Sequence, residues 1–134
     1  MSIERFEDIQ AWQKARELTH MIYMMTKEPR FVKDVWLRNQ IRSASGSIMA
    51  NIAEGFDSRS NPEFLRFLGY ARRSASEVQS HLYIALDEGY ITQTQFQQAY
   101  HLAEETKGLI GGFIRYLTKH SHLKDRQTPQ NRKP

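Results

Sequence analysis

The segment Leu37–Gly55, LRNQIRSASGSIMANIAEG, constrains the fold of this chain more than any other. Leu37, Ile41, Ala44, Ile48 and Ile52 recur at steps of three and four, which lays one apolar line along a helix. A second line runs beside it: Gln40, Ser43, Ser47, Asn51 and Glu54, all polar. The run Ser43–Ser47 is almost without bulk, so another backbone can come close at mid-helix. Gly46 inside a helix costs about 1 kcal/mol relative to alanine, a cost that close packing would explain. Gly55 is expected to stop the helix as a left-handed C′ residue.

The other segments carry the same period. A first helix is expected over about residues 8–27, with Ile9, Trp12, Ala15, Thr19, Ile22 and Thr26 inward, ended by Glu28-Pro29. The second begins at Asp34 as N-cap. Asn61-Pro62-Glu63 reads as N-cap, N1 and first-turn acid of a third helix over about 62–88, ended by Gly89. Thr92 and Gln95 form a capping box for a fourth over about 92–119. Within it Gly111-Gly112 indicates close packing or a bend. No stretch alternates with period two. Four long helices on short connections predict an all-α, antiparallel up-down four-helix bundle over residues 1–120. Residues 121–134 form a basic tail, polar enough to be expected disordered.

Charge is uneven. Residues 119–134 hold five Lys/Arg against one Asp and so carry the whole net charge of +4. Within the neutral remainder, residues 30–73 carry eight Lys/Arg and four Asp/Glu, flanked by more acidic parts. That points to a polyanion partner. The chain has no cysteine, no apolar N-terminal run of the secretory kind and no apolar run of membrane-spanning length. A cytoplasmic protein without membrane contact is expected.

QIRSASGSIMANIAEG, residues 40–55, resembles the QIRRAAxSIxxNIAEG signature of the four-helix-bundle proteins encoded in intervening sequences of bacterial 23S rRNA genes. Phe6-Glu7-Asp8-Ile9 with Ala11–Ala15 resembles that family's FEDLxVWQKA opening, and Phe64–Glu77 its FLxxARGSAxE segment. Arg73 stands where the family often has Gly, and Gly46 where it often has Val. The resemblance implies a bundle with no established enzymatic activity, assembled as a ring-shaped homo-oligomer, most often a pentamer. The chain is also similar to the accessory proteins of diversity-generating retroelements, which implies a reverse transcriptase and nucleic acid as partners.

Catalytic and metal constellations are sparse. A di-iron bundle needs Glu-x-x-His on two helices. Glu17–His20 has that spacing, Glu77–His81 is one residue too long, and His101–Glu104 runs in reverse. Ser43, Ser45, Ser47, Ser74 and Ser76 lie mid-helix, where no sharp turn exposes a nucleophile. No metal, no cofactor and no catalysis are expected. The line Gln40, Ser43, Ser47, Asn51, Glu54 reads either as a solvated face or as a hydrogen-bonded seam between subunits. Asn51 and Glu54 could alternatively cap the following connection.

Arg38, Arg42, Arg59, Arg66, Arg72 and Arg73 are the candidate nucleic-acid contacts. Arg38 or Arg42 could instead pair with Glu77 across a hairpin. Arg59, Arg66 and Arg73 have no evident acidic partner and suit phosphate contacts. Tyr70 and Tyr83 could stack on bases or close the edge of the core. Two functions stand against each other: a ring that binds RNA or DNA electrostatically, or an oligomeric scaffold for a protein partner whose arginines serve only in ion pairs.

Overall fold

A computed structural model describes residues 3–127, with side chains from 3 to 120. Its first element is a 3-10 turn, Phe6–Asp8, closed where Asp8 Oδ2 accepts the backbone N–H groups of Glu4 and Arg5 at 3.2 Å each. Helix α1 follows as Gln10–Met25. Its buried line is Ala11, Ala15, Leu18, Ile22 and Met25, with Ile9 just ahead and Thr26 just behind. Trp12 and Thr19, expected inside, are half-buried at its flank. Trp12 meets Phe6 edge to face at 5.2 Å, and Thr19 Oγ1 donates to the Ser45 carbonyl at 3.1 Å.

Glu28-Pro29 ends α1 as expected, but it also starts another element. The Glu28 carboxylate accepts from the N–H groups of Arg30 and Phe31, both at 2.9 Å, and caps the short helix α2, Pro29–Lys33. This helix drives Phe31, fully buried, against Tyr90 at a ring separation of 5.2 Å. Asp34 then caps α3, Val35–Asp57, its Oδ1 accepting from Leu37 N at 3.0 Å. The expected apolar line is buried throughout.

Gly55 does not end α3. It is a buried helical residue where α4 comes close: a Cβ there would lie 2.8 Å from Phe64 Cδ1 and 2.8 Å from Phe67 Cβ. The chain turns later, where Ser58 Oγ donates to the Gly55 carbonyl at 2.6 Å and Arg59 takes a left-handed conformation, φ 57°. The next N-cap is Ser60, not Asn61. Ser60 has the extended backbone of a cap and Asn61 is already helical, so Pro62 sits one place further into α4, Asn61–Asp87. Gly89, at φ 76°, follows α4, and Thr92 and Gln95 exchange the two hydrogen bonds of the capping box, at 2.8 and 3.1 Å, ahead of α5, Gln93–Gln127. The expected boundary at residue 120 thus falls inside a helix, and residues 128–134 of the expected tail lie outside the described residues.

The four long helices close a square. Helix α1 packs on α3 and α5, and α4 packs on the same two. Neighbours are antiparallel. Thr26 meets Arg42 while Thr19 meets Ser45, and Phe64 meets Phe113 while Gln79 meets Tyr100. Among the described residues there is no strand, and no helix is long and apolar enough to cross a membrane.

Candidate functional site

The polar line of α3 is shared between solvent and α4. Ser43 and Glu54 are exposed, and Gln40, Ser47 and Asn51 are half-buried. Ser74 Oγ donates to Ser47 Oγ at 3.1 Å, which joins α3 to α4. Asn51 Nδ2 bonds Ser47 through both its carbonyl, at 2.8 Å, and its hydroxyl, at 3.0 Å. Asn51 therefore binds back along its own helix, and the α3–α4 connection is held by Ser58 and Ser60. Over Gly46 nothing approaches within 4 Å. Within the small-residue run Ala44 and Ser45 are buried, the Ser45 carbonyl accepting from Thr19 of α1, and Ser43 is exposed.

At one end of this face stands Trp36, 59% exposed, edge-on to His81 at 5.6 Å. Both ring nitrogens of His81 are buried without a hydrogen-bond partner. The Glu77 carboxylate lies 3.5 Å from Nε2, near enough for an ion pair only when the ring is protonated. Val35, Ile84 and Tyr83 are also exposed, on the same helices.

The six arginines separate by environment. Neither Arg38 nor Arg42 reaches Glu77. Arg38 donates to the Val32 carbonyl at 3.0 Å and to Asn39 at 3.2 Å, tying α3 back to α2. Arg42 donates to Thr26 Oγ1 at 2.7 Å and lies over the Tyr23 ring at 4.6 Å. Both are fastened to the α1–α2 side of the bundle. Arg66, expected to lack an acidic partner, has one a turn earlier: it reaches Glu63 at 2.6 Å and Tyr70 Oη at 2.8 Å. Those two acceptors raise Arg66 above its ordinary range, Glu63 chiefly. Arg73 lies 5.3 Å from the Tyr70 centroid and Arg66 5.4 Å from it, so Tyr70 carries two guanidinium groups. Tyr83 packs on Phe96 and Tyr100 at the edge of the core.

Among the described residues Arg59, Arg72 and Arg73 form no ion pair. Arg59 projects from the α3–α4 connection and Arg73 from the outer face of α4. Arg72 turns the other way, onto α5. A Cβ at Gly111 would lie 3.3 Å from Arg72 Nη1 and 3.5 Å from Arg115 Nη1. The sequence pattern does not single out Arg115, which lies far along the chain from the basic centre. The available signal was Gly111-Gly112, the pair of glycines over which both guanidinium groups lie.

No three His, Cys, Asp or Glu side chains converge as metal ligands among the described residues. A cleft of about 520 Å³ between the N-terminal segment and α5 is apolar, lined by Ile9, Ala11, Leu109, Phe113 and Tyr116 among others.

The family model described as "23S rRNA-intervening sequence protein" matches residues 7–112, most of the chain. The chain belongs to that family. A solved structure of a protein of unknown function from the S23 ribosomal protein family of Bacteroides thetaiotaomicron is similar to it, with TM-score 0.71 and 24% identity over 78% of this chain and 97% of the other. That likeness shows the fold alone. No curated protein matches the chain. In this member of the 23S rRNA-intervening sequence family the signature residues Ile41, Ala44, Ile48, Ile52 and Gly55 are buried in the core, whereas Ser47 and Asn51 lie on its outer edge. The motif that marks the family is thus largely a packing motif.

Proposed function

We propose that this protein is a non-catalytic, cytoplasmic bundle that assembles with copies of itself into a ring and binds RNA or another nucleic acid through its phosphates. The observation that carries the reading is the exposed, unpaired charge of Arg59 and Arg73, with Arg66 and Tyr70 between them in sequence. Guanidinium groups free of carboxylates keep their full charge for phosphate, and phosphate contacts give affinity without sequence preference. Arg38, Arg42 and Arg66 are already engaged and add only to the local field. Assembly is supported by the exposed Trp36, Val35 and bare Gly46 on one face, and the family resemblance implies five copies. The resemblance to the accessory proteins of diversity-generating retroelements supports a nucleic-acid partner.

Arg59→Glu with Arg73→Glu is expected to weaken RNA binding for many sequences alike. The slope of log K against log salt falls by about 0.7–0.9 for each phosphate that the protein no longer neutralises. Unchanged affinity and slope refute the phosphate reading. Light scattering at micromolar concentration is expected to give a multiple of 15.8 kDa, and the monomer mass refutes the ring. A protein-interaction scaffold is the second reading. Arg66 favours it, because its charge is spent on Glu63. A neutral protein partner that binds with little salt dependence, together with no affinity for RNA, would establish it.

A further inference from the structure

We propose that Arg72 and Arg115 together form a binding site for a phosphate group on the α4–α5 face. The site goes beyond the function proposed above, since it needs neither a ring nor a nucleic acid, and it uses residues other than Arg59 and Arg73. Arg72 Nη1 and Arg115 Nη1 lie 3.3 and 3.5 Å from one point, the position a Gly111 Cβ would take, and Arg115 Nη2 lies 3.7 Å from the matching point on Gly112. Two nitrogens that close to a single point are separated by no more than the sum of the two distances. That span lets one tetrahedral oxyanion accept from both.

Like charges held so near each other repel, and a carboxylate between them is the usual remedy in a folded protein. Among the described residues neither arginine has one, and neither makes a side-chain hydrogen bond. On the same two helices Glu104, about two turns away, is taken by Gln79 at 2.9 Å and Lys107 at 3.9 Å. Each guanidinium therefore keeps its donor fork free, and that fork matches the oxygens of phosphate in a way an ammonium does not. Gly111 and Gly112 leave the floor of the site open. Gly111 is buried beneath the two groups, and a methyl group there would touch both, with only Arg72 Nη1 having to give by a few tenths of an ångström.

The shared chemistry is a phosphate oxyanion, which a free phosphate or the backbone of a nucleic acid can supply. The test is a titration of the full-length protein with inorganic phosphate at constant ionic strength, read from the arginine Nε–Hε resonances. Phosphate is expected to shift the Arg72 and Arg115 signals together with one dissociation constant. Arg72→Gln and Arg115→Gln are each expected to weaken that binding about tenfold, the loss of one charge-assisted donor pair. Arg16→Gln, which removes the same charge from α1, is expected to leave it unchanged. A uniform drift of all arginine signals, or equal weakening by all three variants, overturns the site.

A short single-stranded RNA is the second arm. RNA that displaces phosphate from the two resonances identifies the nucleic-acid backbone as the source. RNA that fails to displace it leaves a site for free phosphate, and RNA binding is then decided separately by the Arg59 and Arg73 variants.

Discussion

Gly46 and Gly55 sit on the same helix and answer opposite questions. At Gly55 a methyl group would stand 2.8 Å from Phe64 and Phe67, inside any tolerable contact. The phenylalanine atoms cannot withdraw without separating α3 from α4. Gly55→Ala is therefore expected to destabilise by about 1–3 kcal/mol, the usual range for overpacking a close-packed core. At Gly46 nothing lies within 4 Å, and the backbone is ordinary helix. Within one chain, Gly46→Ala is expected to stabilise by about 1 kcal/mol through helix propensity alone. Denaturant unfolding of both variants checks the pair, with loss of stability at both positions counting against it. If copies of the chain meet over Gly46, the same alanine lowers the assembled fraction while raising the stability of the monomer, a split that light scattering reads directly. The sequence marks both glycines as special but mistakes the role of Gly55. It cannot tell a glycine that ends a helix from one that admits a neighbouring aromatic ring, because Phe64 is remote until the hairpin closes.

Among the elements, the long helices are legible in the sequence and their junctions less so. The apolar period of α3 and the capping signals at Asp34 and at Thr92 with Gln95 are local, so the sequence declares them. The turn between α3 and α4 is decided by packing. Once Gly55 is needed inside the helix, the reversal moves to Ser58–Ser60 and Arg59 takes a positive φ that glycine adopts at no steric cost. Helix α2 is hidden for a related reason. Glu28-Pro29 reads as a stop, and only the pocket for Phe31 makes it a start as well. Arg59→Gly separates conformation from charge. It is expected to stabilise the bundle by about 1 kcal/mol of relieved left-handed strain, read by denaturant unfolding, and to weaken RNA binding. Should stability fall instead, Arg59 makes a contact that outweighs its strain. The candidate site is legible to the extent that Arg59 and Arg73 are free. The pairing of Arg66 is not, because Glu63, one turn back, reads as part of the helix start rather than as a partner.

For the molecule as a whole, one end of the bundle is closed by a polar cluster that ties α2 and the start of α3 to the α4–α5 connection. Tyr90 Oη donates to Asp34 Oδ2 at 2.9 Å, and Arg30 donates to the carbonyls of Glu88 at 3.0 Å and Gly89 at 3.2 Å, lying over the Tyr90 ring. The hydrogen bond to Asp34, above all, raises the Tyr90 phenol from its ordinary value of 10.0, with lesser contributions from burial and from the charges of Asp34 and Glu88. A phenol raised on folding favours the protonated native state. Its contribution is complete below the unfolded value and is lost as pH climbs through the folded one. Tyr100 shifts in the same direction, driven first by Tyr83. The melting temperature is therefore expected to fall as pH climbs past 10.0, with Tyr90 responsible for part of the slope. Tyr90→Phe keeps the ring on Phe31 but removes the titrating hydroxyl. At neutral pH it is expected to melt below the wild type. As the wild-type tyrosine ionises, the two curves are expected to converge. Curves that stay parallel to the alkaline end would mean that the Tyr90–Asp34 bond does not couple the end of the bundle to its stability.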